Sequence, residues 1–290
     1  MPPSTALRAS RVWVVTAVLL IATASVVPAQ RDRDRDRPFG LSQEEWCRQD
    51  RRADFCEVRE ETLRNQSTID LDARGNGGVF IRGWDRADVQ MRARVTVWDD
   101  SRDAAAQVAK QITITTTGGR ISADGPRDRR DRRRSRDWDD DRYWSVAYEL
   151  QVPRKADIRA DATNGGIVVE DVRGRIDAHT VNGGIVLGDV NGDIRGETVN
   201  GGVRADLSNE KWDGPGLELK TVNGGVALAV PNGFSGELDA RTANGGISVD
   251  FPITISGLIN NRRQIRGTLG SGGARITLSA VNGGISISRR

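Results

Sequence analysis

Residues 176–203 read IDAHTVNGGIVLGDVNGDIRGETVNGGV and hold the pattern from which the fold can be predicted. The tripeptide Asn-Gly-Gly occurs twice in this stretch, 18 residues apart, and the residues that flank the two copies are similar. Self-similarity at a fixed period of this length is typical of an architecture in which each unit stacks on the next. The tripeptide begins at Asn76, Asn164, Asn182, Asn200, Asn223, Asn244 and Asn282.

The residues before each Asn alternate between apolar and polar. From Asn164 onward, the positions five and three before the Asn are polar, and the position four before is apolar or Gly. The position six before the Asn holds Ile158, Ile176, Ile194, Leu217, Leu238 and Ile276. This period of two resumes after the glycines, so each copy predicts a strand with one buried face, a bend and a second strand. We expect positive φ at the bend, because Asn and Gly adopt it at little steric cost.

Two architectures use such a unit. Asn-Gly between alternating strands is typical of a β-hairpin, which would give an antiparallel meander. The same residue type at the same position of every copy favours stacked parallel coils, in which equivalent residues lie about 4.8 Å apart. The sequence therefore predicts an all-β fold, a parallel β-solenoid (β-helix) with coils of about 18–23 residues. In it, Asn164, Asn182, Asn200, Asn223, Asn244 and Asn282 would form an amide ladder at the turn, beside a column of Thr180, Thr198, Thr221 and Thr242.

The regular part of this prediction covers residues 158–290, and residues 65–157 are expected to form irregular coils and a cap. Within the cap, SRDAAAQVAK at 101–110 predicts the one short helix, with Ser101 or Asp100 as its N-cap. WSVAYELQV at 144–152 alternates and predicts a return to the sheet. Near the C-terminus, GSGG at 270–273 marks an extra bend within a 38-residue interval, so we expect the last coil to be irregular.

The first 29 residues have the features of a secretory signal peptide. Two arginines precede an apolar run at 12–22, and Val27-Pro28-Ala29 supplies small residues at the expected cleavage site. The run is shorter than the roughly 20 apolar residues that a membrane-spanning helix needs, although a retained anchor is the alternative. RDRDRDR at 31–37 cannot bury apolar surface, so residues 30–45 are predicted to be a disordered charged tether. No transmembrane segment is expected after cleavage.

Export changes what the two cysteines predict. Cys47 and Cys56 are the only thiols in the chain and lie nine positions apart, within a segment assigned to residues 46–64. In an oxidising compartment they are expected to form a disulfide, which would stabilise the fold by about 3 kcal/mol. Two free buried thiols are the alternative.

Composition excludes several classes of site. The chain carries 43 Lys and Arg against 40 Asp and Glu, but only one histidine and two cysteines. Most zinc sites, Cys/His catalysis and iron–sulfur ligation are thereby removed. The charged loop 126–142 could contact phosphate-rich or acidic polysaccharide surfaces, but a solvated loop is the favoured interpretation. Nucleic-acid binding is not expected, because acidic residues flank the basic run and no stacking aromatics line it.

No catalytic, cofactor-binding or metal-binding residue is predicted. His179 occupies an outward polar column and is expected to be a surface residue. The residues that follow Gly183-Gly184 exclude the GGxGxD mode of calcium binding. The glycines lead from strand to strand, so neither a P-loop nor a dinucleotide fingerprint is present. No cofactor is expected.

Several longer segments carry a family resemblance: TVNGGI at 180–185, TVNGGV at 198–203, TANGGI at 242–247 and LGSGGARITL at 269–278. With the exported N-terminus, they resemble the bacterial putative-adhesin family of exported domains of unknown function, over roughly residues 65–290. The resemblance implies a right-handed β-solenoid of the cell envelope. It implies no catalytic or ligand residues, because none is established for the family.

Taken together, these features predict an exported cell-envelope protein with a non-catalytic binding, adhesion or structural role. Its partner would be a surface glycan or an envelope protein, and its compartment would be the periplasm or the exterior; the oligomeric state stays open. A carbohydrate-active β-helix enzyme is one alternative, for which Asp177 and Glu218 are the residues to test. A self-assembling envelope scaffold is another, because the ends of a solenoid expose strand edges.

Overall fold

The computed structural model describes residues 40–50, 52–64, 66–126, 144–251, 254–255 and 263–290. The predicted signal peptide at 1–29, most of the tether at 30–45 and all but the first residue of the charged loop 126–142 lie outside the described residues. The described chain is mostly β-strand, with two short α-helices.

The helices are α1 (Gln43–Cys47) and α2 (Arg102–Ala109), and Thr117–Gly119 forms one turn of 3-10 helix. The strands are β1 (Phe55–Leu63), β2 (Thr68–Asn76), β3 (Val79–Trp84), β4 (Val89–Val97), β5 (Thr113–Thr115), β6 (Arg120–Asp124), β7 (Trp144–Pro153), β8 (Asp157–Asn164), β9 (Ile167–Glu170), β10 (Arg173–Asn182), β11 (Ile185–Gly188), β12 (Asn191–Asn200), β13 (Val203–Asp206), β14 (Gly216–Asn223), β15 (Val226–Val230), β16 (Gly236–Asn244), β17 (Ile247–Val249), β18 (Thr254–Ile255), β19 (Gln264–Leu269), β20 (Arg275–Asn282) and β21 (Ile285–Arg289).

The strands form two sheets, neither of which closes on itself. Sheet A has the order β1-β4-β7-β3-β9-β11-β13-β15-β21-β17, and sheet B has the order β18-β19-β16-β20-β14-β12-β10-β8-β2-β6-β5. At every Asn-Gly-Gly bend the chain leaves sheet B and enters sheet A. We call each such unit a strand pair and name it by its Asn; the Asn182 strand pair, for example, consists of β10 and β11.

Neighbouring strand pairs run parallel and in register. Ile176 lies opposite Ile194 in sheet B, and Ile185 lies opposite Val203 in sheet A. The side chains six positions before each Asn are buried, since none exposes more than 3% of its surface. The prediction of an all-β fold with parallel strands is therefore confirmed, and the antiparallel meander is wrong for the repeated part.

The order of the strand pairs in space differs from their order in the sequence. The Asn282 strand pair lies between the Asn223 and Asn244 strand pairs, because β20 is parallel to both β14 and β16. The expected irregularity lies within the interval from Asn244 to Asn282, whereas β20 and β21 at its end are in register with their neighbours. The irregular stretch precedes these two strands in the sequence and includes β19. β19 pairs antiparallel with β16, on the edge of β16 that faces away from β20.

Charge gives a physical reason for this insertion. Equivalent residues of adjacent strand pairs lie about 4.8 Å apart, and like charges directly opposite each other destabilise a sheet. Direct contact between the Asn223 and Asn244 strand pairs would put Glu218 beside Asp239. Thr277 of the Asn282 strand pair lies between these two acids instead.

The N-terminal end departs from the prediction in three places. A register shift between Ala73 and Asn76 brings β2 back into phase with β8. β5 and β6 form an antiparallel pair within sheet B, where the sequence predicts a further coil. The expectation of a single helix is also wrong. α2 has Ser101 as its N-cap, but a second helix, α1, begins at Gln43 within the range of the predicted tether.

The second helix forms for a local reason. The Ser42 hydroxyl accepts a hydrogen bond from the Glu45 backbone N–H, and the Glu45 carboxylate accepts one from the Ser42 N–H, which is a capping box. Trp46 is buried beneath the helix, where the guanidinium groups of Arg92 and Arg94 lie over its ring. The N-terminal part of the outer surface of sheet A is therefore covered.

Candidate functional site

The Asn-Gly-Gly bends form one continuous ladder of amides. In each step the Asn Nδ2 of one strand pair donates to the Asn Oδ1 of the strand pair before it in space, over 2.8–2.9 Å. In spatial order the ladder consists of Asn76, Asn164, Asn182, Asn200, Asn223, Asn282 and Asn244. All six steps have the same donor direction, so the bends of successive strand pairs are fixed relative to one another.

A buried threonine column supports the ladder from inside. Thr198 Oγ1 donates to the carbonyl oxygen of Gly183 in the preceding strand pair, over 2.8 Å, and the Thr198 side chain is fully buried. The same bond is made by Thr180, Thr221 and Thr242 to Gly165, Gly201 and Gly283. These hydroxyls occupy acceptors that burial would otherwise leave unpaired, which is costly in a folded protein.

The reason for glycine at these bends differs from the expected one. Among the described non-glycine residues, positive φ occurs only at Asp171 and Asp189, away from the Asn-Gly-Gly bends, so the expectation of a positive-φ bend is wrong for Asn. The first glycine is required by close approach: a Cβ on Gly201 would lie 2.1 Å from the Gly183 carbonyl oxygen. A Cβ on Gly202 would lie 3.4 Å from its nearest atom, which is ordinary contact.

The N-terminal cysteines are joined. Cys47, at the end of α1, forms a disulfide with Cys56 in β1, with 5.8 Å between the two Cα atoms. The bond fixes α1 against sheet A next to Trp46. No described cysteine is free.

The outer surface of sheet B carries polar or charged side chains from every strand pair. One of its columns, which we call the acid–base column, contains the residue five positions before each Asn from Asn164 onward, with Asp70 and Arg120 at one end and Arg266 at the other. In spatial order it consists of Arg120, Asp70, Arg159, Asp177, Arg195, Glu218, Thr277, Asp239 and Arg266. From Arg120 to Glu218 the charge alternates in sign at every step.

Ion pairs stabilise the charged form of two carboxylates of this surface, Glu218 and Asp239. Glu218 accepts hydrogen bonds from Lys220 and Arg195, and these partners lower its pKa. Burial raises the pKa of Asp239, but hydrogen bonds and charge from Arg241 and Arg266 outweigh burial and leave the pKa below its ordinary value. Both groups are therefore anions at neutral pH.

A groove of about 780 Å³ crosses the acid–base column. It runs over β10, β12, β14, β20 and β16, and small side chains form its floor where the Asn282 strand pair is inserted. Gly216, Thr277 and Ser279 occupy positions at which the neighbouring strands carry charged side chains. We call this feature the groove.

His179 lies on the same surface but outside the groove lining. It is half-buried between Asp161 and Glu197 of the adjacent strands, and its Nδ1 has no hydrogen-bond partner among the described residues. Within the part of the chain that the structure describes, no three His, Cys, Asp or Glu residues are placed to hold a metal ion. None of the described helices has the length and apolar character needed to cross a membrane.

Sequence reasoning placed the charged columns but missed the groove. Thr277 and Ser279 are polar residues of their columns, but they are smaller than most of their neighbours. The small side chains at these two alternate positions, where other strands carry large charged residues, were the only sign of the groove in the sequence. The floor could not be located from that signal alone, because it also depends on Gly216 being the spatial neighbour of Arg275.

Comparison with known proteins gives a limited result. No protein-family model and no curated protein matches the chain. A solved structure from Clostridium sporogenes, described as a putative cell adhesion protein, is 11% identical with a TM-score of 0.40 and covers 81% of this chain and 100% of its own. A putative adhesin from Bacteroides fragilis is 9% identical with a TM-score of 0.35, covering 82% of this chain and 99% of its own. A putative lipid binding protein from Parabacteroides distasonis is 10% identical with a TM-score of 0.27, covering 81% and 96%. At these values the matches carry no argument about function.

Proposed function

We propose that the chain is an exported cell-envelope β-solenoid whose outer sheet B surface binds a surface glycan or an envelope protein without chemical change. The observation that carries this proposal is the open acid–base column, with its charges in register over successive strand pairs. A regular, polar surface of this kind offers alternating hydrogen-bond donors and acceptors along its length. Such an arrangement suits a ligand that is itself extended and polar.

The electrostatics favour binding over catalysis. A glycoside hydrolase needs one carboxylic acid that keeps its proton near neutral pH, and such a group has a raised pKa. The pKa values of Glu218 and Asp239 are lowered instead. Ion pairing therefore leaves these two carboxylates unsuited to proton donation, and the carbohydrate-active enzyme is the weaker proposal.

The ends of the sheets favour a single chain over a self-assembling scaffold. Two of the four edge strands, β5 and β17, have three residues each, and two residues of β18 are described. The fourth, β1, is nine residues long and carries Glu57, Arg59, Glu60 and Glu61. Short and charged edges oppose strand pairing between copies. Export is supported by the Cys47–Cys56 disulfide, a bond that persists in oxidising compartments.

The experiment is a binding assay of the full chain on a glycan array and in a pull-down from native envelope. Arg195→Ala removes a cross-strand ion pair with Glu218 from the outer surface of sheet B. Arg82→Ala is the matched control, because it removes a cross-strand pair with Glu170 from sheet A. We expect Arg195→Ala to weaken binding and Arg82→Ala to leave it unchanged. Absence of any ligand above background, or equal loss in the two variants, would contradict the proposal.

A further inference from the structure

The groove is shaped by a local loss of side-chain volume. Its lining includes Thr277 and Ser279 of β20 and Gly216 of β14, which are smaller than the charged residues opposite them, Glu218, Lys220 and Arg275. The five strands beneath it extend over about 20 Å at the usual spacing between strands. A segment of several linked sugar units fits within this length, and the groove is open along one side.

The charges that line the groove are unequal. Five basic residues, Arg175, Arg195, Lys220, Arg241 and Arg275, face four acidic residues, Asp177, Asp193, Glu218 and Asp239. Arg275 is exposed, and its guanidinium makes no ion pair or side-chain hydrogen bond with any residue that the structure describes. Its neighbour across the strands, Glu237, accepts hydrogen bonds from Thr268 instead. Among the described residues, Arg275 is therefore the one cation of the groove lining that makes no ion pair.

The same lining limits the class of ligand. Carboxylates accept hydrogen bonds and guanidinium groups donate them, so their mixture suits hydroxyl groups, which do both. A polyphosphate would meet four acidic side chains and is disfavoured. No aromatic side chain lines the groove within the described residues, so stacking against a neutral sugar ring is absent there.

We propose that the groove binds a segment of an acidic polysaccharide, with a sugar carboxylate on Arg275 and sugar hydroxyls on the flanking acid–base pairs. This inference rests on the proposed function and adds the ligand class and the site. Arg275 is suited to the role because a guanidinium binds a carboxylate through two parallel hydrogen bonds. Thr277 and Ser279 leave the space in which the sugar ring lies.

The test is calorimetric titration of the full chain with tetragalacturonate. Its fully methyl-esterified form is the matched probe, because it keeps the chain and removes the charge. We expect the acid to bind at least about tenfold more tightly than the ester. The ester cannot form a charge-assisted hydrogen bond, and the loss of one such bond lowers the affinity by about this factor. Monomeric galacturonate forms the third arm, and we expect it to bind much more weakly if the chain of sugars is recognised.

Two substitutions locate the site. Arg275→Gln should weaken the acid about tenfold and leave the ester unchanged, whereas Arg64→Gln, an exposed arginine outside the groove lining, should change neither. Thr277→Arg should abolish binding by filling the floor. Its fold is checked by thermal unfolding, since the new guanidinium lies between Glu218 and Asp239.

The outcomes separate this inference from the proposed function. Equal binding of acid and ester, or full binding by Thr277→Arg, overturns the acidic-polysaccharide site. If the envelope pull-down still succeeds in that case, the binding function stands and only its ligand and location are wrong. Equal binding of monomer and tetramer overturns recognition of a polysaccharide.

Discussion

The strand pairs that stack in sequence order and the inserted Asn282 strand pair use the same interior but different surfaces. Ile176, Ile194 and Ile276 are all buried in one stripe, so the core treats the two regions alike. In the acid–base column, however, the sequential region alternates in sign from Asp70 to Glu218, and the inserted strand pair supplies the neutral Thr277.

This difference indicates which interactions determine the strand pair that stacks beside another. Because every strand pair carries the same apolar stripe, burial of that stripe stabilises all stacking orders to the same extent. Insertion of the Asn282 strand pair separates Glu218 from Asp239 by about 10 Å, which exceeds the Debye length of about 8 Å at physiological ionic strength. Repulsion between like charges therefore determines the stacking order, since the orders do not differ in hydrophobic burial.

The largest expected effect tests whether the inserted strand pair lies where it is described. A Cβ on Gly283 would lie 1.9 Å from the Gly224 carbonyl oxygen, and that oxygen cannot move freely within the sheet. We expect Gly283→Ala to lower the free energy of unfolding by about 3 kcal/mol in denaturant titration. Gly246→Ala is the control, because no described residue other than its chain neighbours has an atom within 4 Å of the position that the methyl group would take. Similar values for the two variants would mean that Gly224 is not the neighbour.

The next effect concerns the hydroxyl column, which the inserted strand pair interrupts with Ala280. Thr198→Val leaves the Gly183 carbonyl oxygen without its buried donor, and we expect a loss of about 1.5 kcal/mol in unfolding free energy. Thr163→Val is the control, since Val181 and Val199 occupy the same position in the following strand pairs. A loss in the control as large as in Thr198→Val would remove the hydrogen bond as the cause.

A smaller effect tests whether charge explains the insertion, because substitutions of opposite charge at Thr277 should change the unfolding free energy in opposite directions. Thr277→Asp creates three adjacent acids and should lower the unfolding free energy by about 1 kcal/mol, while Thr277→Arg should raise it by a similar amount. Thr277→Asn is the neutral reference. Both differences should shrink in high salt. If Asp and Arg had the same effect, charge would not explain the insertion.

The smallest effect is the dependence of stability on pH. The folded-state pKa of Glu218 is lowered from 4.5, mainly by the Lys220 hydrogen bond and also by Arg195. Its stabilising contribution is therefore present above about pH 4.5 and is lost as the pH falls through the folded value. We expect Glu218→Gln to flatten the decline in thermal stability from about pH 5 to about pH 3. Glu197→Gln, which removes a carboxylate without an ion pair among the described residues, should retain the wild-type slope.

Much of the fold could be predicted because alternation reports burial directly. The stripe containing Ile176, the register of the Asn residues and the two-cysteine segment all follow from local pattern. The helix α1 was missed because five residues give no periodicity, and only its capping box at Ser42 indicated it.

The order of the strand pairs and the groove could not be read in the same way. Both depend on which strand pair lies beside Glu218, and every candidate carries the same apolar stripe. The role of the glycine was also ambiguous, because positive φ and close approach select the same residue. The structure separates the two explanations, because Gly201 does not have a positive φ and a Cβ on it would lie 2.1 Å from the Gly183 oxygen.

The alternating signs of the acid–base column also restrict how the protein can change in length. Insertion of a single 18-residue unit beside Asp177 and Arg195 would preserve the apolar stripe and the amide ladder, but a charge of either sign would face one like charge. Two units of opposite sign avoid that contact. Duplications and deletions within this region should therefore be tolerated best in even numbers.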